Sequence, residues 1–157
     1  MNTYNVIGIM SGTSLDGLDI CYCSFSISKN NNWSYKINTA ITININDNLK
    51  TKLINAINYS GLELSLLNNE VGDFIGHSIN NFIKENNIES IDFISSHGHT
   101  IFHQPQNKLS LQIGNGANIS SITKLPVICD FRTSDIALNG NGAPLVPIGD
   151  NLLFNEY

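Results

Sequence analysis

The chain has 157 residues, 41% of them hydrophobic and 13% charged, and a formal net charge of -5. That apolar fraction suffices for one domain with a sizeable core and excludes a disordered chain, while only 8 Lys and Arg leave no basic surface for a nucleic-acid backbone. No apolar run reaches the roughly 20 residues of a membrane span, and the N-terminus lacks the basic start of a secretory signal, so neither a membrane nor nucleic acid is expected as a partner.

Tyr4 to Met10 is a short apolar run rich in β-branched residues that stops at Ser11-Gly12-Thr13-Ser14, the pattern of a buried strand entering a turn. β character resumes from Leu18 to Ile27, and Trp33 to Ile45 alternates polar with apolar through Ile37, Thr39, Ile41, Ile43 and Ile45. Three consecutive strands in an antiparallel meander follow. Asp47 suits the N-cap of a helix with Leu49, Leu53, Ile54 and Ile57 on one face, and Gly61 suits its stop. Behind Ser65, Leu67, Val71, Phe74, Ile75, Ile79, Phe82 and Ile83 recur at helical spacing, predicting a long amphipathic helix whose Asn80, Asn81 and Lys84 face water. Ile91 to Ser95, Leu109 to Ile113 and Pro126 to Asp130 are further strands, with a short helix from Ala117 to Ile122. The fold class is therefore α/β, a mixed sheet covered by helices with right-handed crossovers, and there is no internal repeat or linker.

Cys21, Cys23 and Cys129 are an odd number, and Cys21-Tyr22-Cys23 is too tight for a zinc knuckle or a redox pair spaced by two residues. They read as buried free thiols of a reducing cytoplasm. Asn and Ile are over-used, as in Asn30-Asn31-Asn32 and Ile41-Thr42-Ile43-Asn44-Ile45, which a genome rich in A and T produces, so the asparagine runs receive no functional weight.

The most informative segment runs from Gly8 to Asp19, a strand, a small-residue turn and a second strand. Its geometry suits phosphate: Gly12 and Gly17 permit close approach and positive φ, backbone N–H groups and the Thr13 and Ser14 hydroxyls donate, and Asp16 or Asp19 could hold magnesium through water. An ordinary hairpin turn needs the same residue types. His97, His99 and His103 share a face if the segment is extended but span too far for one ion, so site-lining or structural hydrogen bonding is favoured over metal. Asn139 to Pro144 is a loop, either a connector or a wall of a pocket.

Met10 to Asp19, reading Met-Ser-Gly-Thr-Ser-Leu-Asp-Gly-Leu-Asp, resembles the opening signature of anhydro-N-acetylmuramic acid kinases of the actin/hexokinase-like superfamily. The match continues in Ser96-His97-Gly98-His99-Thr100-Ile101-Phe102-His103-Gln104-Pro105, Leu111 to Asn115, Asp130-Phe131-Arg132 and Gly142 to Pro147, in the family's order and approximate spacing. The family usually has Gln at His99 and Gly-Gly-Gln-Gly at Asn139 to Gly142, so these positions depart from it.

The resemblance implies an actin-like ATPase lobe of the ribonuclease H-like kind, with residues 1–157 as the N-terminal lobe of a two-lobed kinase. It carries ATP binding onto Gly12, Thr13, Ser14, Leu15, Asp16, Gly17, Leu18 and Asp19, with Mg2+ at Asp16 or Asp19 through water. It implies substrate contacts at His97, Thr100, Arg132 and Gly142. Arg132, the only arginine, would grip the substrate's lactyl carboxylate or else pair internally with Asp130 or Asp135. The implied reaction opens the 1,6-anhydro bridge with water while the sugar's 6-oxygen takes the γ-phosphate of ATP. The family's water-activating aspartate lies in a Phe-Asp-Thr-Gly-Pro stretch that this sequence does not contain, so the catalytic residue stays unassigned. Members are more than twice this length. The chain is accordingly expected to be an incomplete, cytoplasmic part, inactive alone, partnered by a missing C-terminal lobe or by a second copy, and to expose apolar surface prone to association. Two other readings remain: a non-catalytic phosphate- or sugar-binding module, and a kinase of the same superfamily with another acceptor.

Overall fold

A computed structural model describes residues 2–12 and 15–154. Three strands lead it, β1 (Asn2–Ser11), β2 (Leu18–Ile27) and β3 (Trp33–Ile43), paired antiparallel in chain order as the alternation predicts. Ile7 and Ile9 of β1 and Leu18 and Ile20 of β2 point to one face and are buried there. β3 stops at Ile43, two residues short of the expected end, and Ile45 enters the core from the connection beyond it.

Helix α1 (Asp47–Asn55) is capped by Asn46, whose side-chain oxygen accepts the Leu49 N–H at 2.9 Å. Asp47 is therefore the first helical residue and not the cap, since an Asn one position earlier does the same work. Leu49, Leu53 and Ala56 are buried, whereas Ile54, one residue off the Leu49–Leu53 stripe, is exposed, as is Ile57, which lies in the 3-10 turn over Ala56–Asn58 that shifts the apolar phase. Gly61 opens α2 (Gly61–Glu85) and does not close α1. The stronger local signal is the capping box: Ser60 Oγ accepts the Glu63 N–H, and Glu63 Oε2 accepts the Ser60 N–H at 2.8 Å. Ser65 lies inside the helix, its hydroxyl donating to the Gly61 carbonyl.

The α2 stripe of Leu67, Val71, Ile75, Ile79 and Phe82 packs on the buried sheet face, each side chain contributing about 1.5–3 kcal/mol of transfer free energy. Strand β4 (Phe93–Gln104) then enters parallel beside β1. It does not end at Ser95 but continues through the histidine-containing string, because β5 (Leu109–Ile113) pairs antiparallel with its second half. Helix α3 (Gly116–Thr123) and β6 (Val127–Ile128) follow, β6 lying parallel along Ile94 and Ser95 of β4. β6 is shorter than the expected five residues; Asp130 has left-handed backbone, φ 58°. The sheet order is β3-β2-β1-β4-β5, with β6 sharing one edge of β4 with β5. Helices α4 (Thr133–Ala137) and α5 (Val146–Leu153) follow; α4 is too short to show a helical period, and α5 lies beyond the elements read from the sequence.

The cysteines are free but not buried: Cys21 and Cys23 are half-exposed on the other sheet face and Cys129 is exposed. Their Sγ atoms, Cys21 to Cys23, stand 3.2 Å apart, and burial, with that contact second, pushes the Cys23 thiol up to about 12. Among the described residues no helix is long and apolar enough to cross a membrane.

Candidate functional site

Parallel strands β1 and β6 both run beside β4 and end along its first half or at its middle: Ser11 stands opposite His99, and Ile128 opposite Ser95. The carboxyl ends of parallel strands are where open α/β sheets collect ligands, because the outgoing loops diverge there. Between these points sits Gly98, with φ 71°, where an added Cβ would stand 2.5 Å from the Ile113 carbonyl oxygen. Only glycine lets β4 change direction here while staying paired to β5.

Two hollows of about 250 Å³ each share His97 as a wall. One is lined by Phe131, Arg132, Gly142, Ala143, Leu145 and Val146, an apolar bed with one cation. The other is mostly polar, with Asn68, Ser96, Gln112, Asn115, Asp130 and Thr133 among its walls. Two of its side-chain atoms, Ser96 Oγ and Gln112 Oε1, are buried without any hydrogen-bond partner, and Ser96 is fully buried. Buried orphans of this kind cost about 1–3 kcal/mol each unless something occupies the hollow and satisfies them.

His97 orders this centre. Its Nδ1 faces the Gly98 carbonyl at 2.9 Å and must donate, so Nε2 is the acceptor, and it receives Arg132 Nε at 3.1 Å and Nη2 at 2.8 Å. Burial lowers the His97 pKa; the Gly98 carbonyl raises it and the Arg132 charge lowers it further, which keeps the imidazole neutral and able to accept. Arg132 thus does not pair with Asp130 or Asp135. Asp130 accepts the Thr133 hydroxyl, and Asp135 Oδ2 accepts the Gly142 N–H at 2.6 Å. Among the described residues the one ion pair is Lys52–Glu70. Two of the five guanidinium N–H groups serve His97, leaving three for a ligand.

Asp135 instead anchors the 139–145 loop, whose Gly140 N–H also donates to the Asp135 carbonyl at 2.8 Å. Gly142 has φ 73°, and a Cβ there would meet Ile136 Cδ1 at 2.7 Å and Arg132 Cβ at 3.3 Å. The loop is a wall of the Arg132 hollow, one of the two roles its sequence allows.

His99 is buried, and its Nδ1 lies 3.1 Å from Ser11 Oγ, tying β4 to the last residue before the β1–β2 turn. Burial, and secondarily His97, lowers its pKa. Both histidines are therefore depressed in the folded state relative to an unfolded value of 6.5. The unfolded chain binds their protons first as the pH falls, so their contribution is present in full above about pH 6.5 and lost progressively below it. Melting temperature should fall between pH 7.5 and 5.5. His99→Gln, which keeps a partner for Ser11 without a titrating ring, should flatten that slope; an unchanged slope would contradict the assignment.

In the turn itself, Thr13 and Ser14 lie outside the described residues. The Leu15 N–H reaches the Gly12 carbonyl at 3.4 Å, and among the described residues of the turn Leu15 has positive φ, at 55°, whereas Gly17 does not. Gly17 serves close approach: a Cβ there would overlap the Thr42 methyl and stand 3.1 Å from the Ile43 carbonyl oxygen. Leu18 is buried in the core, Asp16 is exposed, and Asp19 Oδ1 accepts the Thr42 hydroxyl at 2.5 Å.

Of the expected sugar contacts, His97, Arg132 and Gly142 come together. Thr100 does not line either hollow; its Oγ1 accepts Gln112 Nε2 at 3.4 Å and so helps hold Gln112. His103 is exposed and bonds Ser110 Oγ at 3.3 Å, so the three imidazoles take separate partners. Among the described residues no three His, Cys, Asp or Glu are grouped as metal ligands. Asn68 has no signal in the sequence, Ser96 and Gln112 stand there only within motif strings and without a role, and Asp135 only as a possible partner of Arg132. Asn68 Oδ1 accepts the Gly114 N–H at 2.7 Å, so this asparagine has a structural part beside the hollow.

The family model described as anhydro-N-acetylmuramic acid kinase matches residues 4–157. The anhydro-N-acetylmuramic acid kinase of Pseudoalteromonas translucida (strain TAC 125) is 38% identical over 164 residues, covering 96% of this chain and 41% of the relative. That of Acinetobacter baylyi is 37% identical, with 96% and 39% covered, and that of Bacillus cereus (strain Q1) 34%, with 96% and 42%. The chain spans about two fifths of the length of these curated relatives.

Proposed function

The chain belongs to the anhydro-N-acetylmuramic acid kinase family, and we propose that it supplies the sugar-acid hollow and the phosphate turn for ATP-dependent phosphorylation of 1,6-anhydro-N-acetylmuramic acid. The product is N-acetylmuramic acid 6-phosphate, formed as water adds at the anomeric carbon and gives up a proton, the C1–O6 bond of the anhydro bridge breaks, and the released 6-oxygen takes the γ-phosphoryl group of ATP, with ADP as the leaving group. The observation that carries this reading is Arg132: oriented by a neutral His97, without a carboxylate partner among the described residues, and beside a polar hollow with two unsatisfied atoms. A sugar bearing one carboxylate, an acetamido group and a ring hydroxyl has the complementary groups.

In this reading the three remaining Arg132 N–H groups hold the lactyl carboxylate, and Phe131, Leu145 and Val146 bed its methyl and the acetyl group. Ser96 Oγ and Gln112 Oε1 bond ring substituents in the second hollow. His97 donates from Nδ1 and accepts at Nε2 throughout, fixing the guanidinium plane without exchanging a proton. Gly12 to Asp19 cradle the nucleotide phosphates with backbone N–H groups, and His99 steadies that turn through Ser11. Asp16 and Asp19 offer the hard oxygen donors magnesium takes, and the bound ion would neutralise phosphate charge. No carboxylate of the site is assigned to activate water, so the chain by itself binds without turnover, in the ATP-containing cytoplasm.

The test compares calorimetric titration of the chain with 1,6-anhydro-N-acetylmuramic acid and with 1,6-anhydro-N-acetylglucosamine, which lacks the lactyl group. A charge-assisted contact worth about 1.5–3 kcal/mol predicts roughly 10- to 100-fold weaker binding of the second sugar. Equal affinity would remove Arg132 from the proposal.

A further inference from the structure

Cys21 and Cys23 are sulfur nucleophiles that line neither hollow. Strand β2 runs beside β1 without a register break, so residues two apart, Cys21 opposite Gly8 and Cys23 opposite Val6, point to the same face. Same-face neighbours on a strand stand about 6.5 Å apart at the backbone. The Sγ atoms nevertheless come to 3.2 Å, so the two side chains lean toward each other, and both are half-exposed. The rows across the sheet at these positions, Ser95, Gly8, Cys21 and Ala40, then Phe93, Val6, Cys23 and Ile37, carry no charge. Over Gly8 an added Cβ would meet nothing nearer than the Cys21 carbonyl oxygen at 3.9 Å, which leaves room beside the sulfurs.

The separation of the sulfurs selects what they can hold. A disulfide brings its two Cβ atoms to about 4 Å, which β2 cannot do without giving up ladder bonds to β1 and β3. A tetrahedral zinc ion about 2.3 Å from each sulfur sets them about 3.8 Å apart, and a linear two-coordinate ion sets them farther still. Among the described residues no three His, Cys, Asp or Glu are grouped, so a zinc ion would have only two ligands from the chain. With the sulfurs 3.2 Å apart, an atom bonded to both at about zinc's distance holds them at about a right angle. Trivalent arsenic bonds in this way. Its lone pair keeps its three bonds pyramidal and close to perpendicular, and with one organic substituent it needs only two sulfurs.

We infer that Cys21 and Cys23 form a chelating dithiol site for monosubstituted trivalent arsenicals, which carry one organic group and two hydroxyls on arsenic. Each sulfur forms an As–S bond as one As–O bond breaks, and each thiol proton leaves with the departing hydroxide. Two waters are released, and arsenic stays trivalent. Burial pushes the Cys23 thiol up to about 12, so it keeps its proton for this transfer. The product adds no charge to an uncharged stretch of sheet. The inference is independent of the sugar site, and its test does not read activity.

The reduced chain is titrated with phenylarsonous acid, the hydrated form of phenylarsine oxide, by calorimetry and by native mass spectrometry. One arsenical should bind per chain, at a mass two waters below the sum of the parts. Cys21→Ser and Cys23→Ser should each bind at least about 100-fold more weakly, because the second As–S bond is no longer intramolecular. Cys129→Ser should bind like the parent. Excess dithiothreitol, a dithiol, should release the arsenical, whereas the monothiol glutathione should not. The peptide Leu18–Ile27, which has the spacing without the strand pairing, should bind at least about tenfold more weakly, because it must order itself first. Loss of a single water from the parent complex would overturn the inference, since it means attachment through one thiol. So would tight binding by either Cys21→Ser or Cys23→Ser, equal binding by the peptide, or displacement of the arsenical by an equal concentration of zinc.

Discussion

Arg132→Ala is expected to weaken binding of 1,6-anhydro-N-acetylmuramic acid by roughly 10- to 100-fold, the loss of one charge-assisted, two-pronged contact of about 1.5–3 kcal/mol. Stability should hardly change. The guanidinium holds no carboxylate among the described residues, and it gives two N–H groups to a half-exposed His97, which water can replace at a cost under about 1 kcal/mol. In a chain of this size that is a melting shift of about 2–4 °C at most. Calorimetry with the sugar, alongside thermal melting, separates the two. Unchanged affinity with a large drop in melting temperature would make Arg132 a structural residue after all.

Gly98→Ala should be the most damaging small substitution at the site. The new methyl would meet the Ile113 carbonyl oxygen at 2.5 Å, and the left-handed backbone at φ 71° costs a non-glycine residue about 1–2 kcal/mol before any clash. A total loss of about 3 kcal/mol is expected, which at this size lowers the melting temperature by about 6–12 °C. The same change should remove sugar binding, because β4 carries Ser96 and His97 immediately before the bend. A variant that melts like the parent and binds the sugar normally would mean that the bend at Gly98 does not shape the hollow.

These two residues also show how far the sequence is legible. The three-strand meander, the α2 stripe and β5 follow from side-chain periodicity, because one-sided burial imposes a period of 2 or 3.6 on the apolar residues. The start of α2 at Gly61 differs from the expected one because two local signals compete there, a glycine that ends helices and the Ser60–Glu63 capping box that begins one. The reach of β4 was invisible because Ser96 to His99 has no apolar alternation; its strand character comes from pairing with β1 and β5, a tertiary cause. Helix α4 is too short for periodicity to register.

At the site, the motif strings selected His97, Arg132 and Gly142, which the fold brings around one hollow. What they could not show is which groups answer which. The choice of His97 over Asp130 or Asp135 as the partner of Arg132 depends on a contact across 35 residues. The role of His99 depends on Ser11, 88 residues away, becoming its neighbour through parallel pairing of β1 with β4. Ser96 and Gln112 become conspicuous only when burial is known, since an exposed serine or glutamine in a strand has no significance.

The central proposal is that these 157 residues hold a sugar-acid hollow and a phosphate turn, with none of them assigned to activate water. Isothermal titration with magnesium-ATP and with 1,6-anhydro-N-acetylmuramic acid, run beside a phosphorylation assay containing both, tests it most directly. Binding of each ligand without phosphate transfer is the predicted result. No binding of either ligand would contradict the assignment of the site, and turnover would mean that one of these residues activates water.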